Sequence, residues 1–422
     1  MDTSGQSVIV AMSGGVDSSV AAAMLLEQGY RVTGVFMCLG TAGAAGGLDG
    51  GAADRGSRGC CSPQDAADAR RVAERLGIEL YVLNLADEFG PIIEDFAREY
   101  AAGRTPNPCI HCNARIKFGR LIRHADSLGV QYVATGHYAR MVNRGQVNQG
   151  QVNRGLRPIP SSESVSVPDL PIAREKGGQT PISNGEIGLS PHFSDDAGPL
   201  IARGLARGKD QSYALFGIAR QNLGRILLPV GMVPDKPTLR RRALELGLAV
   251  HDKPDSQEIC FVPDDDYVSL LARLAPQALT PGPVVNSSGK LLGRHEGYAR
   301  FTIGQRKGLR IAGPVPMYVT KIDPATATVT LGPREQVLGT RLRATGANWH
   351  VVSACGGPSA VGCSFDATVQ IRYNHSGAPA RVTVTSPDAF EVEFAQPVPA
   401  ITPGQAAVVY DGDQLLGGGW IA

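Results

Sequence analysis

The sequence predicts an α/β protein that ends in a small β-barrel. Three observations carry this expectation. Over the first 140 residues strand-like and helix-like signals alternate, the pattern of a parallel sheet covered on both faces. A glycine-rich loop stands between the first strand and the first helix. From about Gly282 onward short strands and turns take over.

The elements follow in order. Ser7 to Ala11 reads as a short buried strand, and Ser18 to Gln28 as a helix ended by Gly29. Arg31 to Met37 is strand-like. Asp65 to Leu76 is helical and stops at Gly77. Glu79 to Leu85 is a strand and Phe89 to Ala101 a helix. A helix from Cys112 to Ser127 ends near Gly129, before a strand over Val130 to Thr135. Two stretches break the alternation. Leu39 to Gly59 holds eight glycines in 21 residues. Met141 to Pro199 is rich in Gln, Ser, Pro, Gly and Asn, and opens with a tandem repeat at Val142, Val147 and Val152. Its five-residue period fits no solenoid unit, so both stretches are expected to be solvated insertions. After Leu200 the chain turns basic and helical through Arg240-Arg241-Arg242. A hairpin is expected over Tyr318 to Leu331. Half-buried strands follow at Phe365–Tyr373, Arg381–Thr385, Phe390–Phe394 and Ala406–Tyr410, as in a barrel or sandwich.

Composition narrows the function classes. A chain of 422 residues suggests roughly two to three domains. With 41 Lys+Arg against 39 Asp+Glu, it is neither a histone-like basic protein nor an acidic tail protein. The balance is uneven along the chain: net −2 over residues 1 to 140, −1 over 141 to 200, +2 over 201 to 280 and +3 beyond. Eight cysteines are too sparse for a disulfide scaffold. No signal-peptide pattern opens the chain, and no apolar run reaches the ~18 residues of a membrane span. A soluble, reducing, cytoplasmic setting without a membrane is expected.

The strongest motif is Ser13-Gly14-Gly15-Val16-Asp17-Ser18-Ser19. Adjacent glycines let backbone amides approach phosphate oxygens, and a helix start offers N–H groups to an anion. Asp17 could hold magnesium or orient a pyrophosphate. The Lys-Ser/Thr pair of a Walker A loop is absent. The second motif is Thr105-Pro106-Asn107-Pro108-Cys109-Ile110-His111-Cys112-Asn113, with a helix expected to begin near Cys112 and so to favour its thiolate. Cys260 lies far off in Asp255-Ser256-Gln257-Glu258-Ile259-Cys260-Phe261. These thiols admit three readings: a zinc site, ordinary buried thiols, or a sulfur-carrying pair. Only one C-x₂-C pair exists and Cys60-Cys61 is adjacent, which disfavours zinc. Basic runs at 201 to 245 and 294 to 310, with Tyr298 and Phe301 interleaved, could follow an RNA backbone or be solvated faces.

Taken together, these motifs resemble the bacterial tRNA-specific 2-thiouridylase (MnmA) family within the PP-loop ATP pyrophosphatases. The resemblance runs over nearly the whole chain outside the two insertions. It is carried by Ala11-Met12 and the loop, Gly34 to Met37, Gly103 to Asn113, Ala134 to Arg140, and Lys209 to Tyr213. Asp255 to Phe261, Gly293 to Leu309, Ile371-Arg372-Tyr373 and Thr402 to Gln405 extend it. It implies a Rossmann-like PP-loop domain over 1–225, carrying insertions 39–59 and 141–199. A small central tRNA-binding domain would span 226–338, its segment 249–267 returning Cys260 to the first domain. A C-terminal β-barrel would span 339–422.

It also implies roles. ATP, with Mg²⁺, would bind at Ala11, Met12, Ser13, Gly14, Gly15, Val16, Asp17, Ser18, Met37 and Gly136. No resident metal site is implied. Cys112 would be the nucleophile, and Cys260 would carry a persulfide and pair with Cys112 as an alternate disulfide. Asn107, Pro108 and Cys109 would approach the target base. His137, Lys209, Asp210, Gln211, Arg372, Tyr373 and Gln405 would contact tRNA. The reaction implied is adenylation of O2 of the wobble uridine and replacement of that oxygen by sulfur. Partners would be tRNAs for Lys, Glu and Gln, and a persulfide donor, either a cysteine desulfurase or a relay protein. Cys38-Leu39-Gly40 stands where the family usually has Lys-Asn-Trp, and Cys109 where some members carry Asp. Two other classes compete. A PP-loop amidotransferase or ligase would need no cysteine pair, and an RNA-binding module without catalysis would need neither the loop nor the thiols.

Overall fold

The computed structural model describes residues 5–39, 62–143, 198–255, 259–262, 266–309, 311, 315–351 and 360–422. Cys60, Cys61 and the bulk of both insertions, 40–61 and 144–197, lie outside the described residues.

The first unit is a five-stranded parallel sheet. Its elements are β1 (Ser7–Ala11), α1 (Val16–Glu27), β2 (Arg31–Cys38), α2 (Pro63–Leu76), β3 (Leu80–Asn84), α3 (Ala86–Ala101), α4 (Pro108–His111), a π-helical stretch Cys112–Arg120, α5 (Leu121–Ser127) and β4 (Tyr132–Ala134). β5 (Ala139–Asn143), β6 (Pro199–Arg203) and β7 (Ile226–Leu227) follow. The sheet order is β3-β2-β1-β4-β7. Val8, Ile9 and Val10 of β1 are fully buried because both faces of this central strand are covered, which explains its unbroken apolar run. α2 is well delimited: Ser62 and Asp65 form a reciprocal capping box, and Gly77 takes the left-handed conformation that ends it.

Next come α6 (Lys236–Glu245), α7 (Tyr267–Leu274) and a four-stranded sheet. Its strands are β8 (Gly282–Asn286), β9 (Leu291–His295), β10 (Tyr318–Asp323) and β11 (Thr328–Gly332), in the order β10-β11-β8-β9. The last unit holds β12 (Leu338–Trp349), β13 (Ser364–Gln370), β14 (Ala378–Ser386), β15 (Ala389–Pro399), β16 (Ala406–Asp411) and β17 (Gln414–Ile421). These six run β12-β15-β14-β13-β16-β17, and β17 pairs back onto β12, closing a barrel. Closure removes the exposed edges that an open sheet of these strands would present.

The structure corrects several expectations. α1 starts at Val16 rather than Ser18, with Gly15 as its N-cap. Strands β5 and β6 occupy the two ends of the expected insertion 141–199. Met141, Val142 and Leu200 are buried there, and Gln414 of β17 pairs with Ala202, fastening this hairpin to the barrel. Leu39, expected to open a solvated loop, is a core residue. Cys112 opens a π-helical stretch but does not start the helical run. The helical run begins at Pro108, whose missing N–H and fixed φ suit a first position, so Cys109 stands in the first turn and Cys112 beyond it.

Candidate active site

The chain runs from β1 outward to β2 and β3 on one side of the sheet, then returns to β4 and β7 on the other. The order therefore reverses between β1 and β4, and the crevice outside their carboxyl ends is where open α/β sheets bind ligands. The loop Ser13–Ser19 leaves β1 into this crevice and Thr135–His137 leaves β4 beside it. The two lips touch. A Cβ on Gly136 would stand 2.6 Å from the Ser18 amide nitrogen, so only glycine fits. Gly14 has φ +70°, and a Cβ there would meet the Asp65 carbonyl oxygen at 2.1 Å. Met37 lies half-buried near the end of β2. The residues assigned to ATP therefore gather at the carboxyl ends of β1, β2 and β4.

The loop suits an anion. α1 has no side-chain cap, which leaves its first N–H groups for a ligand. Ser13 N–H instead reaches inward to Ser18 Oγ at 3.1 Å, and Ser19 Oγ donates to the Gly15 carbonyl at 2.8 Å, fixing the loop's shape. Three groups from elsewhere in the chain complete it. Lys253 Nζ donates to the Gly14 carbonyl at 2.9 Å and to Asp65 at 2.7 Å, with Asp68 as a third partner. Lys236 Nζ holds both Asp17 oxygens, at 2.7 and 2.9 Å, and Asp255 at 2.7 Å. The Tyr138 hydroxyl donates to Asp17 at 2.9 Å; burial first, and then the Asp17 charge, push its phenol far above the usual value, so it remains a donor. Burial alone would raise the Asp255 carboxyl, but Lys209 and Lys236 outweigh it and hold it at about 2.

The thiols sit beyond the carboxyl ends of β2 and β3, where Leu39 and Leu85 follow those strands. Cys112 is buried and Cys260 half-buried, and both belong to one apolar cluster with Leu39, Leu85, Phe89, Phe96, Ile116 and Phe261. Phe261 sets the place of its neighbour Cys260, packing edge-on against Phe89 and Phe96 at 5.6 and 5.2 Å. Cys112 opens the π-helical stretch, a wider turn often found at functional positions. Cys109 is exposed. Between the cysteines, His111 stacks on Trp420 of β17, centroids 4.4 Å apart and planes 13° apart. Burial first, then Arg115, lowers the His111 pKa. The barrel also grips the approach to Asn107 and Pro108. Gln405 Nε2 donates to the Thr105 carbonyl at 2.9 Å, and Thr105 N–H donates to the Pro403 carbonyl at 2.9 Å.

The residues assigned to tRNA divide into two groups. Tyr373 is exposed, and its phenol is pushed up by burial of part of its ring, by Asp210 and by Cys109, which sets it among those groups. Lys209 pairs with Asp255 at 2.8 Å. The others are bonded inward. Asp210 accepts from Gly204 N–H and Ser212 Oγ, Gln211 accepts from Tyr138 N–H, and Arg372 donates to the Pro399 carbonyl. His137 is buried against Thr135 Oγ1 at 2.6 Å. The basic run at Arg240–Arg242 is similarly engaged, through the carbonyls of His251 and Lys253, through Thr238, and through Glu27 and Glu245. Arg306 and Lys307 are exposed in the turn between Gly304 and Gly308. Among the described residues no cluster of three or more His, Cys, Asp and Glu could hold a metal ion.

Sequence reasoning did not single out Lys236, Lys253, Tyr138, His111 or Trp420. Tyr138 and His111 lay inside noted motifs without a role. Lys236 stood only as one basic residue of the run 201 to 245, and Lys253 and Trp420 had no local signal, since their partners are remote in the chain.

Fold and site define a HUP-class α/β protein with an uncapped phosphate loop after β1 and a cluster that holds two cysteines beyond β2 and β3. The family model described as a tRNA methyl transferase HUP domain matches residues 6–158 and 188–264. A tRNA methyl transferase PRC-barrel domain matches 269–333, and an aminomethyltransferase beta-barrel domain matches 340–421. Among curated relatives, the tRNA-specific 2-thiouridylase MnmA of Geobacter metallireducens is 40% identical, covering 98% of this chain and 96% of that protein. Those of Rhodopirellula baltica and Carboxydothermus hydrogenoformans are each 41% identical, over 98% and 100% of this chain and 96% and 99% of the relatives. The chain belongs to the tRNA-specific 2-thiouridylase family.

Proposed function

We propose that this protein is a tRNA-uridine 2-sulfurtransferase that uses ATP. Two observations on one sheet support the reading: an uncapped phosphate loop follows β1, and Cys112 and Cys260 share one apolar cluster beyond β2 and β3. The family models' description as methyl transferase is disfavoured because methyl transfer needs neither feature.

ATP binds along Ala11 to Ser18, with Met37 and Gly136 framing the nucleotide. Mg²⁺ would offset the polyphosphate charge. O2 of the wobble uridine attacks the α-phosphorus; the bond to the bridging oxygen breaks and pyrophosphate leaves with the electron pair. The base is now O2-adenylated and C2 carries a good leaving group. The terminal sulfur of a Cys260 persulfide adds at C2 and AMP departs. Cys112 thiolate then attacks the inner sulfur, forming the Cys112–Cys260 disulfide and releasing 2-thiouridine. An external dithiol restores both thiols, and a cysteine desulfurase or relay protein reloads Cys260. Because C2 cannot be reached in a stacked base, the uridine is splayed out, with Asn107, Pro108 and Cys109 beside it.

Tyr373, Lys209 and the Arg306-Lys307 turn are proposed to touch tRNA. His137, Asp210, Gln211, Arg372 and Gln405 are proposed to support that surface through their inward hydrogen bonds. The acceptors proposed are tRNAs for Lys, Glu and Gln, in the cytoplasm. The division into units 1–225, 226–338 and 339–422 belongs to the same proposal, with β7 (Ile226–Leu227) from the second stretch completing the sheet of the first. The test is AMP formation with and without tRNA, combined with mass analysis of tRNA nucleosides from cells lacking the protein. Loss of 2-thiouridine and tRNA-dependent AMP formation are expected; a normal 2-thiouridine level would overturn the assignment.

A further inference from the structure

The phosphate loop carries no lysine of its own, unlike a Walker A loop. We propose that Lys236, 219 residues along the chain from Asp17, is the missing cation: a catalytic residue that binds the terminal phosphates and stabilises departing pyrophosphate. This rests on the reading of the loop as the ATP site.

Four observations support it. Lys236 Nζ lies on Asp17, in the first turn of the helix whose N–H groups face the anion seat. Its side chain is only 11% exposed, so its charge is poorly screened and is worth more to a phosphate than a surface lysine's. Its backbone is anchored: it opens α6, whose N-cap Asp235 accepts from Thr238 N–H at 2.7 Å. Finally, Asp255 can give it up. Asp255 also holds Lys209 at 2.8 Å and Arg240 at 3.3 Å, so it stays paired when Lys236 turns to a phosphate. Asp17 and Asp255 against Lys209, Lys236 and Arg240 leave this group of side chains one positive charge in excess, which suits an incoming polyanion.

Lys253 is a poorer candidate. It donates to the Gly14 carbonyl, Asp65 and Asp68, so its three protons are committed to holding the loop and α2. Lys236 donates to two carboxylates that other groups also serve: Tyr138 on Asp17, and Lys209 with Arg240 on Asp255. No bond to Lys236 forms or breaks in the reaction. Pyrophosphate takes the electron pair of the broken bridge, and the ammonium donates hydrogen bonds to it.

The test is calorimetric binding of inorganic pyrophosphate, with magnesium, to the full chain as wild type, Lys236→Met, Lys236→Arg, Asp255→Asn and the Lys236→Met/Asp255→Asn double variant. Lys236→Met is expected to weaken binding about 10-fold or more and to slow pyrophosphate release about 10²-fold, the scale of losing one transition-state donor. Lys236→Arg should recover part of both. Asp255→Asn should tighten pyrophosphate binding several-fold, because it frees Lys236, and should lose that effect when Lys236 is Met. A purely structural role predicts weakening by Asp255→Asn, since a supporting contact is lost. The proposal is overturned if Lys236→Met binds pyrophosphate within about twofold of wild type, or if Asp255→Asn acts equally in both backgrounds. Should Lys236→Met fail to fold, the sign of the Asp255→Asn effect decides alone. If wild type binds neither pyrophosphate nor ATP, the reading of the loop falls together with this proposal; binding without dependence on Lys236 removes the proposal only.

Discussion

The phosphate loop and the thiol cluster are built by opposite means. The phosphate end is a polar lattice of backbone N–H groups, lysines and carboxylates, fixed by glycines that permit close approach. The thiol end is an apolar cluster with aromatic rings, clamped from outside by the barrel through Trp420 and Gln405. The difference follows from the cargo. A polyphosphate must be met by fixed donors and compensating charge. A persulfide sulfur is soft and weakly hydrated, and it is protected by excluding water and stray thiols. Adenylation and sulfur transfer should therefore be separable by mutation.

The largest separation is expected from Cys260→Ser, which should abolish 2-thiouridine formation while leaving tRNA-dependent pyrophosphate release measurable. Nucleoside analysis beside a pyrophosphate assay checks this, and normal thiolation would remove Cys260 from the chemistry. Asp17→Ala attacks the other end. It leaves Lys236 and Tyr138 without a shared acceptor, and pyrophosphate release should fall about 10²–10³-fold, taking thiolation with it. Unchanged release would contradict the polar lattice.

Trp420→Ala should act more mildly and only at the thiol end. It removes the ring stacked on His111, costing about 1–3 kcal/mol of stability. Thiolation should drop several-fold with pyrophosphate release nearly intact. An equal drop in both would mean that the barrel serves both sites. The smallest effect is on the acid limb of stability. Asp255 is held at about 2 in the folded chain against 3.8 for an unperturbed aspartate. A depressed carboxyl contributes stability above its unfolded value, so this contribution is intact above about pH 4 and is lost as pH falls toward 2. Asp255→Asn should lower stability at neutral pH and flatten the acid limb of the unfolding curve, its difference from wild type vanishing as pH falls toward 2.

Much of the parallel sheet was legible because its signals are local. The apolar run of β1, the capping residues around α2 and the glycines that end helices act over a few residues. The loop Ser13–Ser19 and the Asn107–Cys112 segment were visible for the same reason. Legibility failed where distant strands supply the partner. β5 and β6 flank a polar stretch and look like part of it until Gln414 of β17 is seen beside Ala202. The helical run starts at Pro108, ahead of the expected Cys112, because a proline also fits an extended segment before a helix and gives no single local signal. Proline suits a first helical position equally well, and which applies depends on the packing of Ile110 into the core.

The sequence by itself determined that a glycine-rich loop would lie between a buried strand and a helix, and that thiols would stand at 109, 112 and 260. Both follow from short-range chemistry written along the chain. Only the tertiary structure decided that Cys112 and Cys260 share one apolar cluster, and that Trp420 braces the helix between the thiols. It alone brought Lys236 to Asp17. The physical reason is that desolvated charge pairs and ring contacts act over a few ångströms. Those distances are created when helix α6 packs on α1 and the barrel closes against α4, and no spacing in the sequence encodes them.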